Sequence, residues 1–155
     1  MAVRRPFNLQ KWIDENRADL KPPVGNRNLY KDAGDYIVMI VGGPNARKDY
    51  HFNETEELFY QLEGNILVTV QVDGEKIEVP IKEGDMFLLP ANIPHNPVRS
   101  ANSIGLVIER VRKGTDMKDG LLWFCDKCNN KLHETYFSQE NIETDFQSRF
   151  KEFYN

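Results

Sequence analysis

Between about residues 28 and 112 the chain is cut into short β-rich runs, each stopped by turn residues, a spacing that restricts it to a sandwich or barrel of antiparallel strands. Residues 36–41 form one such run, ended by Gly42-Gly43-Pro44, and residues 58–62 form a shorter one, ended before Gly64. Ile66, Val68, Val70 and Val72 alternate with Leu67, Thr69 and Gln71, while Ile77, Val79 and Ile81 alternate with charged residues or proline. The Asp73-Gly74 dipeptide between these two runs predicts a two-residue hairpin turn, because both central residues must accept positive φ. Residues 86–89 and 104–111 bring the set to at least six strands. The expected fold is all-β, an antiparallel β-barrel with short helices at its two ends.

At the first end, Asn8 is placed to cap a helix on which Leu9, Trp12 and Ile13 fall at i, i+3 and i+4, and Pro22-Pro23 close the following segment. After Arg112 the pattern reads as a loop region containing both cysteines, then as a helix from about Asn141 with Ile142, Phe146, Phe150 and Phe153 on one face. An apolar stripe at helical spacing signals packing, here against the core or another subunit. No repeat or linker divides the 155 residues, so 1–155 is read as one domain, with a barrel core over about 28–112 and a C-terminal loop and helix over 113–155.

Twenty basic against 24 acidic side chains give a net charge of -4, which argues against a nucleic-acid binder, whose affinity rests on a basic face. No stretch approaches the roughly 18 apolar residues of a membrane span. The N-terminus MAVRRPFNLQKW lacks the apolar stretch of a secretory signal, so the expected location is cytoplasmic.

The chain has three histidines, His51, His95 and His133, and two cysteines, Cys125 and Cys128. Arg47, Asp49, His51, Asn53 and Glu57 lie in one stretch bordered by Gly43 and Gly64, and Gly84, Pro90, His95 and Arg99 lie in another. Two imidazoles and one carboxylate can hold a transition ion on one side and leave the other side open, the donor set of non-haem Fe(II) oxygenases. Arg47, Asp49 and His51 share parity if that segment is extended, as do His95 and Arg99, so each arginine faces the same interior as its neighbouring histidine. Glu109 alternates with Val107 and Val111, which puts one carboxylate on an otherwise apolar strand face, a costly position for an acid without a partner. Taken alone, the acidic run Glu54-Thr55-Glu56-Glu57 would be a solvated loop, the two arginines could be surface charges, and Glu109 could be a cross-strand salt-bridge partner.

These two stretches resemble the paired motifs of the cupin superfamily, His51, Glu57 and Gly64 matching the first and Gly84, Pro90 and His95 the second. Asn53 stands where the superfamily's His-x-His has its second histidine, which reduces the ligand set to His51, Glu57 and His95. With Lys21-Pro22-Pro23-Val24-Gly25-Asn26, Val41-Gly42-Gly43-Pro44-Asn45, Arg47-Lys48-Asp49-Tyr50-His51, Phe59-Tyr60-Gln61 and Val107-Ile108-Glu109-Arg110, the chain is similar over nearly its whole length to the 3-hydroxyanthranilate 3,4-dioxygenase family. The resemblance implies a cupin-type jelly roll with Fe(II) on His51, Glu57 and His95. It implies Arg47 and Arg99 on the substrate carboxylate, Glu109 on the substrate's amino or hydroxyl group, and Asn26 in a loop bordering the pocket. Asp49 is read as orienting a ligand or an arginine.

The activity implied is extradiol-type cleavage of 3-hydroxyanthranilate with O2 to 2-amino-3-carboxymuconate semialdehyde, the precursor of quinolinate in NAD biosynthesis, by a homodimer. Another metal cupin, such as an isomerase or a thiol dioxygenase, and a non-catalytic ligand-binding cupin are the rival readings. Relatives in the family often carry a second Cys-x-x-Cys that completes a four-sulfur metal site, and this sequence has only Cys125 and Cys128. That pair is therefore a vestige, a half-site, or a partial second metal site borrowing His133.

Overall fold

The computed structural model describes residues 3–22, 25–141 and 144–154. Pro23, Val24 and Ile142 lie outside the described residues. Helix α1, Leu9–Asn16, starts where Asn8 accepts a 2.8 Å hydrogen bond from the Lys11 backbone N–H, satisfying one of the orphan donors of the first turn. Eleven strands follow among the described residues: β1 Asn26–Asn28, β2 Tyr36–Gly42, β3 Tyr50–Asn53, β4 Glu57–Glu63, β5 Ile66–Val72, β6 Glu75–Ile81, β7 Met86–Leu89, β8 His95–Arg99, β9 Ile104–Arg110, β10 Asp119–Phe124 and β11 Lys131–Phe137. Helix α2, Asp145–Tyr154, comes last.

The strands form two antiparallel sheets, ordered β1-β2-β9-β4-β7 and β11-β10-β3-β8-β5-β6. The expected barrel is thus a sandwich of two facing sheets. Asp73 and Gly74 both have positive φ, 51° and 81°, and join β5 to β6 as the dipeptide requires. One structural difference from the sequence reading is large. The region after Arg112, read as a loop, contains β10 and β11, and β10 pairs with β3 to enter the six-stranded sheet. Asn26 likewise sits in a short strand rather than a loop, opposite Val41.

Three apolar clusters hold these layers. Between the sheets, Ile37, Met39, Phe59, Val68, Leu89 and Val107 belong to the main core. On the outer face of β2, Ile40 packs with Ile13 and Leu20 of the N-terminal segment. On β10 and β11, Leu121, Trp123 and Phe137 receive Phe146, Phe150 and Phe153 of α2, with the Trp123 and Phe153 rings stacked at 4.4 Å. The phenylalanine stripe is therefore a packing face, as its spacing implies.

Gly42 marks the tightest approach in this framework. A Cβ there would lie 1.9 Å from the Leu20 carbonyl oxygen, a backbone atom with no rotamer to change. Gly42→Ala is expected to destabilise by about 1–3 kcal/mol, the usual cost of overpacking, which lowers the thermal midpoint by several degrees in a chain of this size. A melting curve unchanged by the substitution would contradict the close approach.

Candidate metal centre

The ends of two strand pairs face each other across the sandwich. In the six-stranded sheet, His51 of β3 and His95 of β8 are direct register partners. In the five-stranded sheet, Glu57 of β4 and Glu109 of β9 are direct register partners as well. Two carboxylates placed opposite one another repel, so this register is stable only beside positive charge.

His51 Nδ1 lies 3.5 Å from Glu57 Oε1, and His95 Nε2 lies 3.3 Å from Glu57 Oε2. One ligand atom from each of the three residues falls within 4.8 Å of the others, and all three residues are buried. Each imidazole spends its remaining nitrogen on an acceptor: His51 Nε2 on Asp119 Oδ2 at 2.7 Å, and His95 Nδ1 on the Ile93 carbonyl at 2.9 Å. Those partners fix which ring nitrogen is free to face the centre, the usual way a metal-binding histidine is oriented. Burial alone would raise the Glu57 carboxyl, yet His95 and His51 outweigh it and hold the group well below its ordinary range. His51 shows the complement. Burial opposes its charge, and the hydrogen bonds to Asp119 and Glu57 prevail, lifting it to about 9. The cluster attracts positive charge, and its donor set of two imidazoles and a carboxylate fits a divalent transition ion.

Above this triad opens a cavity of about 710 Å³, within the range of small-molecule sites. Arg47, Arg99, Glu109 and Asn26 line it together with His51, Glu57 and His95. The structure thus brings every residue of the predicted iron and substrate sites to one place. Arg47 is gripped by Asp49, which is 2 % exposed and accepts from its Nε at 3.0 Å and again from its terminal nitrogen. Its guanidinium also lies over the Phe146 ring at 5.5 Å, a cation–π contact from α2. The irregular segment bearing Arg47 is stitched to β8 by two amides. Asn45 bonds to the Pro97 carbonyl and the Arg99 N–H, and Asn96 bonds to the Arg47 and Asp49 carbonyls.

Arg99 is 4 % exposed, and burial, then the charge of Arg47, push it down to about 10, leaving it charged at neutral pH. Its space depends on Gly105, where a Cβ would come within 2.9 Å of an Arg99 terminal nitrogen and 2.7 Å of Gln61 Oε1. Because both neighbours are buried, Gly105→Ala displaces the guanidinium. The expected result is a KM raised about tenfold, worth about 1.4 kcal/mol, at nearly unchanged kcat. A fall in kcat alone would show that the displaced group does not bind substrate.

Glu109 faces the cavity and is also ion-paired, though not with a cross-strand partner. Its partner is Arg112, at 2.9 Å and three residues along the chain. Burial, reinforced by Glu57 and opposed by Arg112, pushes its carboxyl up to about 8.

Several groups at the centre escaped sequence reasoning. Asn53, noted only as a departure from His-x-His, donates from Nδ2 to Glu57 Oε1 at 2.6 Å while its Oδ1 accepts from the Thr55 backbone and hydroxyl. Asp119 and Arg112, both essentially unexposed, carry no motif at all. Phe146, whose ring lies 4.9 Å from the His51 ring, closes one side of the cavity. By contrast, the structure does not bring His133 to the cysteines. Its ring packs on Trp123 and Phe153, and the triad is the sole group of three metal-type ligands among the described residues. The reading in which Cys125 and Cys128 borrow His133 fails on that geometry. Cys125 instead turns back through hydrogen bonds with Asn129 and Asn130.

An open-faced triad of this kind at the mouth of a two-sheet jelly roll defines a mononuclear metal-binding cupin. The fold is matched by protein NMB1881 from Neisseria meningitidis, with a TM-score of 0.50 and 20 % identity over 69 % of this chain and 99 % of that one. Residues 1–154 match the family described as 3-hydroxyanthranilic acid dioxygenase, and the chain belongs to that family. A 3-hydroxyanthranilate 3,4-dioxygenase of Xanthomonas oryzae pv. oryzae (strain MAFF 311018) is 54 % identical over 149 residues, covering 96 % of this chain and 83 % of that protein. The protein of the same name from Yarrowia lipolytica is 47 % identical over 97 % of this chain and 88 % of its own length. No helix among the described residues is long and apolar enough to cross a membrane.

Proposed function

We propose that the chain catalyses the Fe(II)-dependent opening of 3-hydroxyanthranilate by O2. The observation that carries this reading is the convergence of a metal triad, two arginines and one acid on a single cavity, in a chain 54 % identical to a relative bearing that enzyme's name. His51, Glu57 and His95 hold the iron. When bound, Fe(II) provides an electronic path between the electron-rich ring and O2 that the two lack on their own.

The remaining work belongs to the side chains. Arg99 and Arg47 take the substrate carboxylate, for which a planar guanidinium offers paired hydrogen bonds. Asp49 keeps Arg47 from swinging into solvent. Glu109 accepts a hydrogen bond from the amino or hydroxyl group on the neighbouring ring positions, and Asn26 borders the ring's edge. Phe59, Val107, Met39 and Phe146 exclude water around the aromatic ring. Fixing both carboxylate and hydroxyl holds the ring in one orientation within the cavity, and that positioning is where a site of this kind lowers the barrier.

Both oxygen atoms enter the product. The bond between the hydroxyl-bearing carbon and its unsubstituted neighbour breaks, the first becoming a carboxylate and the second an aldehyde. The product, 2-amino-3-carboxymuconate semialdehyde, closes to quinolinate with loss of water, which leads to pyridine nucleotides. The same reading implies a cytoplasmic homodimer.

After anaerobic Fe(II) loading, addition of 3-hydroxyanthranilate in aerated buffer is expected to consume one O2 per substrate while the absorbance of the ring-opened semialdehyde grows. Substrate binding without oxygen uptake by the iron-loaded protein would sink the proposal in favour of a ligand-binding cupin.

A further inference from the structure

Arg112 lies just beyond β9 with 1 % of its surface exposed, too deep for a charge that serves only solubility. A guanidinium has five N–H donors, and here all five have acceptors. Nε donates to Asp119 Oδ1 at 2.7 Å, and one terminal nitrogen donates to Asp119 Oδ2 at 2.7 Å and to Glu109 Oε1 at 2.9 Å. The other terminal nitrogen donates to the Thr55 hydroxyl at 3.2 Å and to the Arg110 carbonyl at 3.0 Å.

Three of these contacts continue to the centre. Asp119 Oδ2 also meets His51 Nε2, so the paired bonds that fix the Asp119 plane fix the imidazole behind it. The Thr55 hydroxyl donates to Asn53 Oδ1, and Asn53 Nδ2 donates to Glu57 Oε1. The third contact, to Glu109, is direct. We infer that Arg112 is a positioning residue that sets two metal ligands, His51 and Glu57, and the substrate-facing Glu109 from one buried guanidinium. The inference rests on the metal-centre reading of the triad.

Charge points the same way. Asp119 and Glu109 are two acids in one buried region, and Arg112 is the cation paired with both. Without it a buried carboxylate is left uncompensated, and such a group is strongly disfavoured. Lysine is no substitute, since a point charge on a flexible stem cannot grip Asp119 with two parallel bonds and reach Thr55 as well.

The test uses Co(II) as the probe, because its visible d–d bands report ligand geometry without turnover. Arg112→Lys is expected to remain folded by far-UV circular dichroism, to bind Co(II) about 10–100-fold more weakly, the range typical when a group behind a metal ligand is lost, and to show altered d–d bands. Asp119→Asn, nearly isosteric, disturbs the His51 branch and one of the paired bonds to Arg112 while leaving the Thr55 and Glu109 contacts in place, and is expected to weaken Co(II) binding in the same direction by a smaller factor. It also carries the test if Arg112→Lys fails to fold. Native Co(II) affinity and native bands in a folded variant with a lowered melting point would reduce Arg112 to a structural ion and overturn the inference. Failure of the unaltered protein to bind Co(II) would strike the metal-centre reading instead, so the two failures are distinguishable.

Discussion

His51→Ala is expected to leave the protein without its metal. One of three ligand atoms disappears, and Glu57 and Asp119 lose the imidazole lying between them, at 3.5 and 2.7 Å. Two remaining side chains are too few for the triad's donor set, and two buried acids then face each other across the vacated space. Elemental analysis after desalting is expected to fall from about one iron per chain to a trace, and kcat to drop at least about a thousandfold, or roughly 4 kcal/mol. The cavity left by the ring also lowers the melting point, so far-UV circular dichroism has to establish that the variant is folded. Normal turnover by a folded, iron-free variant would remove His51 from the ligand set and with it the chemistry assigned here.

Arg99→Ala acts on a different quantity. Metal content is expected to be unchanged, because Arg99 is not in the triad, and on the proposed function what is lost is the buried partner of the substrate carboxylate. Removing one member of a desolvated, hydrogen-bonded charge pair costs about 2–5 kcal/mol, so KM for 3-hydroxyanthranilate is expected to rise by at least about thirtyfold. Lysine at this position does not restore it, since a single ammonium cannot copy the fork. The decisive control is 2-aminophenol, which has the neighbouring amino and hydroxyl groups and no carboxylate. Its weak binding is expected to be indifferent to the substitution. An equal loss on both compounds would show that Arg99 supports the cavity rather than reading the carboxylate.

The strands legible in the sequence are those whose inward positions are apolar. Residues 66–72 and 75–81 alternate because one face meets the core, and Asp73-Gly74 marks their turn. β3 and β8 escaped the same reading because their inward positions hold His51 and Asn53, and His95 and Arg99. A strand that builds the site spends its buried side chains on polar groups and so loses the pattern that announces a strand. β10 was hidden for the opposite reason. Covered by neighbouring strands and by α2, it is buried on both faces, and Gly-Leu-Leu-Trp carries no alternation. β11, beside it, puts Lys131, Leu132, Glu134 and Tyr136 at the surface and reads as polar loop. At the site, residues inside the two motif stretches were readable from spacing, whereas Asp119 reaches His51 from 68 positions away with no motif to flag it.

The direct pairing of His51 with His95 and of Glu57 with Glu109 ties catalysis to the outcome of folding. Side chains along a strand point alternately to opposite faces, so a slip of one position in either pair would turn a ligand out into solvent rather than shift it slightly. A misfolded molecule is therefore silent instead of partly active. In a refolding preparation, specific activity counts correctly threaded chains, and the yield of iron per chain counts the same population.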